Sequence, residues 1–484
     1  VNYMKAECRF FIAYFHAVMA MTYGAVPIIR DATEEITGET LLLKQEPFNT
    51  VVDWAANELL ETSKLLPAYY DEDNKYGRIT SIICLAMRAR LLTFAASPLV
   101  NGNQDSDMVN MKNCDGVSIF DSTFKPERWK TAVDANKLLI DEAEKAGHKL
   151  YIETIGDDVD AFQSYQNALM LRYNQGNMEI LFPRTYDDAG YFDRQANPRS
   201  MGGAGAIGVT QSLVDAFFMN NGLVPITGYT NDGATPVINS ESGYSETGYS
   251  TVDESYKTTW MYATKGGTEQ ETEHVIVPKN TYKMYCGREP RFYITVFFGG
   301  NYWLHGAGST MISFAKGGNG NKSHDYPKSG YLCNRFYDHT LNSGDGQWGN
   351  LTFPVFRLGE MYLNFIESVL ECKKRNVALP AGYEELAMEK WADLRDRAGL
   401  TPITSVYPNA SVDELIELCR KERRVELAFE RHRYFDTRTW MIAEQTDNGP
   451  MYGMDATCPL EGSDTKVTPD GFWKRTVFET RVFK

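Results

Sequence analysis

Helical periodicity at both ends of this chain, and its loss in the middle, constrains the fold more than any other feature. Apolar residues recur at three- and four-residue spacing over about 2–22, 48–65, 79–97 and 127–146, and again over about 356–374, 382–398 and 411–432. Pro126 precedes one of these helices, Ser411 and Glu414 have the spacing of a capping box, and Gly399 sits where a helix would stop. Between about 175 and 350 the rhythm gives way to Gly, Ser, Thr, Asn and aromatic residues. Only short strands are credible there, such as HVIVP (274–278) and RFYITVFF (291–298). The helices pair at about the size of tetratricopeptide hairpins, without a strict repeat of about 34 residues. Such pairs bury their stripes against one another and stack into a scaffold. The expected fold is mainly α: a tetratricopeptide-like helical-hairpin scaffold built from residues 1–150 and 351–484, carrying an irregular, loop-rich insert with short strands over 151–350.

The stretch RFFIAYFHAVMAMTYGAVPII (9–29) is nearly long enough to span a bilayer. Its pattern reads otherwise. Phe10, Phe11, Tyr14, Phe15, Val18 and Met21 form a helical stripe, while Arg9, Ala13, His16, Ala17 and Ala20 form a small or polar face. The run breaks at Tyr23-Gly24 and resumes as Val26-Pro27-Ile28-Ile29, which is no cleavage site for a signal peptide. An amphipathic helix, packed closely through its alanines, is expected.

Composition removes several function classes. With 64 acidic against 49 basic residues, a net charge of -15 and no basic run, a nucleic-acid partner is not expected. The eight cysteines contain no CxxC pair, and Cys8, Cys84, Cys372 and Cys419 fall on helical patterns, as buried small hydrophobes would. The histidines are scattered, so no metal site or cofactor is expected. DEDNKYG (71–77) echoes a calcium loop but lacks the glutamate at position twelve and reads as a turn before Arg78. GGAGAIG opens no βαβ unit.

Glu422, Glu426 and Glu430 recur every four residues on the last helical pattern, with Glu422 on its apolar line. A glycosidase would need two carboxyls about 5–10 Å apart across a cleft, which one helix face does not offer. A structural ion-pair network with Arg423, Arg424 and nearby arginines is the expected reading. Helical Trp54, Trp129 and Trp391 are expected in the core. Trp260, Tyr262, Tyr282, Tyr285, Tyr302, Trp303, Tyr331 and Trp348 lie in or beside Gly-rich loops instead. Rings so placed suit the apolar face of a sugar, with NYW (301–303) the sharpest candidate.

Five segments resemble motifs of the SusD/RagB family, the surface glycan-binding lipoproteins of Bacteroidetes. They are RFFIAYFHAVMAMTYGAVPII, YGRITSIICLAMRARLLTFAASPL (76–99), FPVFRLGEMYLNFIESVLE (353–371), KWADLRDRAGL (390–400) and ERRVELAFERHRYFDTRTW (422–440), in family order across nearly the whole chain. The resemblance implies a non-enzymatic protein on the outer face of the outer membrane that binds an oligosaccharide and delivers it to a SusC-like TonB-dependent transporter. RagB-type members imply peptide as the alternative cargo, and an α-helical glycosidase is the enzymatic alternative. Family members carry a secretion signal, a lipid-bearing cysteine and a first helix ahead of where this sequence starts, and a Leu-x-Pro-Ile-Pro segment after RVFK. The membrane anchor is therefore expected to lie outside this chain. In the family the loop after the second helical pair approaches the ligand, which adds Asn101, with Arg78 as a hydroxyl donor. The expected ligand-binding set is Arg78, Asn101, Trp260, Tyr302, Trp303 and Tyr331.

Overall fold

The computed structural model describes residues 1–30, 43–185, 189–230, 233–260, 273–306, 308–322, 324–349, 352–460 and 468–483. All seven long helical patterns are helices. The first four are α1 (Asn2–Tyr23), α2 (Phe48–Ser63), α3 (Ser81–Ala96) and α4 (Glu127–Lys145). Two shorter helices follow, α5 (Ala161–Met170) and α6 (Pro290–Thr295). The last three are α7 (Leu358–Lys374), α8 (Tyr383–Arg397) and α9 (Val412–Glu426).

Local chemistry sets their ends. The Thr80 hydroxyl accepts the Ile83 amide at the start of α3, and Ser411 and Glu414 close both bonds of the capping box on α9. α1 stops at Gly24 (φ 79°), where an added Cβ would lie 2.5 Å from the Phe120 ring, so a side chain there is excluded twice over.

α1 buries its small face, Ala13, Ala17 and Ala20, while Phe15 stays 57% exposed. His16 takes part in this packing as a structural group. Its Nδ1 lies 2.7 Å from the Ile12 carbonyl, and its Nε2 accepts the Ile29 amide at 2.9 Å, which pins the extended segment after Gly24. Among the described residues no helix is long and apolar enough to cross a membrane.

Each helix packs on the next from α1 to α4. α7 then lies against α4, and α8 and α9 lie against α7, so helices from both ends of the chain share one core around Phe10, Ile82, Trp129, Leu363 and Trp391. This is the tetratricopeptide-like scaffold. The insert has its own core around Phe162, Val296, Phe298, Trp303 and Tyr331. Residues beyond Gly449 join that second core through Met454, Phe472 and Trp473.

Strands are short and paired in twos. Among them are β1 (Ile180–Arg184), β2 (Glu254–Lys257), β3 (Glu273–Val277), β4 (Val296–Phe298), β5 (Tyr302–His305), β6 (Gly308–Met311), β7 (Tyr331–Cys333) and β8 (Phe353–Arg357). The antiparallel β1–β8 pair places the chain's departure from the scaffold beside its return. RFYITVFF is a strand only over β4. Pro290 fixes a helical φ at the first position of α6 and carries that helix through Thr295.

A buried ion network joins scaffold to insert. Glu179, Glu289, Glu422, Glu426 and Glu430 meet Arg291, Arg335, Arg357, Arg395 and Arg397, all ten buried. Arg291 reaches Glu289 and Glu422 at 2.6 Å each and Glu426 at 3.0 Å. Arg395 holds Glu422 at 2.8 Å. Arg357 spans Glu179 at 2.7 Å, Glu426 at 2.8 Å and Glu430 at 2.6 Å. Arg397 ties Glu179 to Glu426, and Arg335 holds Glu430 at 2.7 Å.

The expected network is present, but its cations come from elsewhere. Arg423 turns to Asp436 (2.8 Å) and Arg424 donates to Ser212 (2.9 Å), because neighbours on a helix diverge in direction. The helical pattern expected to reach residue 432 also stops early, at Glu426. Phe429 (φ 64°) and Arg431 (φ 69°) adopt the left-handed region, and this turn swings Glu430 back to Arg335 and Arg357.

Removing one member leaves buried charge unmatched, so Glu426→Gln is expected to lower unfolding stability by about 3–5 kcal/mol in denaturant titration. Burial alone would raise the Glu426 pKa, but Arg397, Arg357 and Arg291 outweigh it and hold it below the usual range. Protons then bind the unfolded chain first. The Glu426 contribution is complete above a pH of about 4.5 and falls away below it, which melting curves from pH 6 to 3 should show for wild type and less steeply for Glu426→Gln.

Candidate ligand-binding site

The site grows out of α6. After Thr295 the chain runs as β4, turns through Gly299-Gly300-Asn301, and returns as β5 paired with β6. Side chains alternate along a strand, so Tyr302 and Leu304 share one face while Trp303 points to the other. Tyr302 is 42% exposed and Trp303 is fully buried. On the Tyr302 face lies a cavity of about 220 Å³, lined by Trp260, Tyr293, Asn301, Tyr302, Asn334 and His339 among others.

The floor is built from rings. Trp260 stacks on Phe162 at 5.6 Å and meets the His339 edge at 5.1 Å. Around them sit three buried polar atoms with no hydrogen bond among the described residues: Trp260 Nε1, Asn334 Oδ1 and His339 Nε2. Asn334 uses its Nδ2 to donate to the Tyr293 carbonyl at 3.2 Å, which fixes its amide. His339 Nδ1 lies 3.4 Å from the Leu304 carbonyl, and a proton placed there leaves Nε2 as an acceptor. Burial pushes the His339 pKa down to about 4, so the ring is neutral near pH 7. Among the described residues, no lining side chain is a carboxylate, ammonium or guanidinium. The cavity thus offers one N–H donor, two acceptors and flat apolar surface, without charge.

Of the residues expected from sequence, Trp260 and Tyr302 come together here. Trp303 and Tyr331 do not reach the surface. Trp303 packs against Tyr337 (4.7 Å) and Phe297 (5.0 Å), and Tyr331 donates to Gln211 at 2.7 Å inside the second core. These two are walls of the core, not platforms. Asn101 is also buried. It accepts the Lys125 amide at 2.9 Å and donates to the Ala96 and Lys125 carbonyls, tying two loops together. Arg78 grips Glu7 of α1 with two bonds of 2.7 Å and does not line the cavity. The DEDNKYG segment before it is a turn, with Gly77 at φ 87°. Tyr262 lies outside the described residues.

The sequence reading passed over Asn334, His339 and Tyr293. Asn334 follows β7, His339 lies five residues further on, and Tyr293 sits on α6, so no local spacing announces their convergence.

The family model for SusD matches residues 163–480. The chain belongs to the SusD family. The solved structure of BT4246 is similar over 100% of this chain and 80% of its own, at 23% identity and a TM-score of 0.76. A SusD-like protein from Bacteroides fragilis NCTC 9343 is similar at 20% identity and 0.67, covering 100% of this chain and 75% of its own. A SusD-like carbohydrate binding protein from the same organism is similar at 18% identity and 0.65, with 100% and 76% covered. No curated protein matches the chain. The SusD fold accounts for the helical scaffold and for the aromatic insert mounted on it.

For this SusD-family chain, ¹⁵N NMR should find the His339 ring as a single neutral tautomer, with its proton on Nδ1, between pH 5 and 8. A titration near pH 6.5 would show that the ring is not buried as described.

Proposed function

We propose that this protein captures an oligosaccharide at the cell surface, seating one uncharged sugar ring in the Trp260–Tyr302 cavity, and passes it to a SusC-like TonB-dependent transporter. The observation that carries this reading is the meeting of an exposed ring, Tyr302, with three buried polar atoms that have no partner among the described residues, in a cavity that no described charged side chain lines. A pyranose presents an apolar C–H face and a rim of hydroxyls. Each hydroxyl both donates and accepts, so it satisfies Trp260 Nε1–H, Asn334 Oδ1 and His339 Nε2 together. Stacking on Tyr302 and Trp260 supplies the apolar area. The cavity has room for about one ring, so a longer glycan would extend along the surface, and its affinity would suit release to a transporter.

Family membership supports a binding protein of the outer membrane's outer face, held there by a lipid anchor. It also supports a protein without catalysis of its own. The carboxyls an enzymatic reading would recruit are occupied: Glu422 is buried and engaged by Arg291, Arg395 and the Trp391 indole (3.2 Å).

Calorimetry against a panel of neutral oligosaccharides and a peptide mixture tests the proposal. Saturable binding of at least one oligosaccharide is expected, weakened in Tyr302→Ala by about 1–2 kcal/mol, or roughly five- to thirtyfold. Binding of peptides alone, or a Tyr302→Ala variant with unchanged affinity, would refute it.

A further inference from the structure

A second cavity, of about 460 Å³, lies where the chain turns back after α9, and it shares no lining residue with the Trp260 cavity. Thr210, Arg424, Phe429, Arg431, Arg433 and Tyr434 are among its walls. Two of its arginines are half-buried, yet among the described residues neither forms an ion pair with a carboxylate. Arg424 donates only to the Ser212 hydroxyl, and the Arg433 guanidinium has no hydrogen bond or ion pair among the described residues.

The nearby acids are already engaged. Asp436 pairs with Arg423 at 2.8 Å, Asp215 with Arg475 at 2.6 Å, and Asp447 with Arg438 at 3.4 Å. Burial, and next to it the charge of Arg433, push the Arg424 pKa down to about 9, and burial lowers that of Arg433 as well. Asp436, which also lines the cavity, and Asp447 attract Arg433, and Asp215 and Asp447 attract Arg424, but none of them pairs with either guanidinium among the described residues. In a chain with 64 acidic and 49 basic residues, two partly buried cations without a paired carboxylate call for an anion from outside.

We propose that this cavity binds the carboxylate or sulfate group of an acidic sugar, with Arg424 and Arg433 as its two forks. Beside the cations lie apolar walls, Leu213, Leu427 and Phe429, and the ring of Tyr434 is 56% exposed. The space exceeds what a bare oxyanion needs and suits an anion carried on a ring. Planar guanidinium groups match the two oxygens of such an anion. This inference stands on different residues from the function proposed above and does not depend on it.

Titration at low ionic strength with sodium glucuronate, glucose and sodium sulfate, followed by calorimetry, tests it. Glucuronate should saturate while glucose at the same concentrations does not. Arg424→Gln with Arg433→Gln should weaken glucuronate by more than about tenfold, with an unchanged melting temperature. Should the double variant lose its cooperative melt, Arg433→Gln alone carries the same test, because its guanidinium has no hydrogen bond or ion pair to lose among the described residues. Glucuronate that fails to saturate, or that binds the variants as tightly as wild type, would overturn the proposal. Saturation by sulfate but not glucuronate would overturn the sugar assignment.

Discussion

Five glutamates and five arginines, sealed from water, hold this structure in register. Charges taken out of water gain little net stability even when well paired, so a network of this kind serves position more than strength. Each of its members is fixed by several others: Arg357 alone joins Glu179 before β1, Glu426 on α9 and Glu430 in the turn beyond. Helices from both ends of the chain and the insert between them therefore meet in one arrangement. The departure from helix after Glu426, with two non-glycine residues at positive φ, is the local strain this arrangement demands.

The Trp260–Tyr302 cavity inherits its placement from that network. Arg291 stands on α6, bonded to Glu289, Glu422 and Glu426. α6 leads directly into β4, and β4 turns through two glycines into β5, which presents Tyr302 outward and Trp303 inward. The helical scaffold thus aims a flat ring and three hydrogen-bonding atoms at one small volume.

Much of the scaffold was legible because packed helices must repeat their apolar residues: all seven long patterns are helices, six of them within about two residues of the expected ends, and α9 alone stops six residues early. The alanine face of α1 and the capping box on α9 announce themselves locally in the same way. The insert was legible only as a class. In NYW the three residues look alike in sequence, but strand alternation sends Tyr302 to the cavity and Trp303 to the core. Tyr331 and Asn101 looked like surface groups because their neighbours are loop formers, yet each satisfies buried partners. The cations of the ion network could not be chosen from sequence either. Arg423 and Arg424 are nearest along the chain, and the side chains that complete it come from residues 25 to 131 positions away, Arg397 to Arg291 relative to Glu422. Asn334 and His339 join the site through folding alone.

The central functional claim is that a sugar ring enters the Trp260–Tyr302 cavity and meets the Trp260 indole. The most direct measurement is a ¹⁵N–¹H spectrum of the indole N–H groups during titration with a bound oligosaccharide, each of the eight tryptophans assigned by substitution. The Trp260 resonance should move in proportion to saturation while those of Trp303 and Trp391 stay in place. A Trp260 resonance that remains fixed at full saturation would contradict the account.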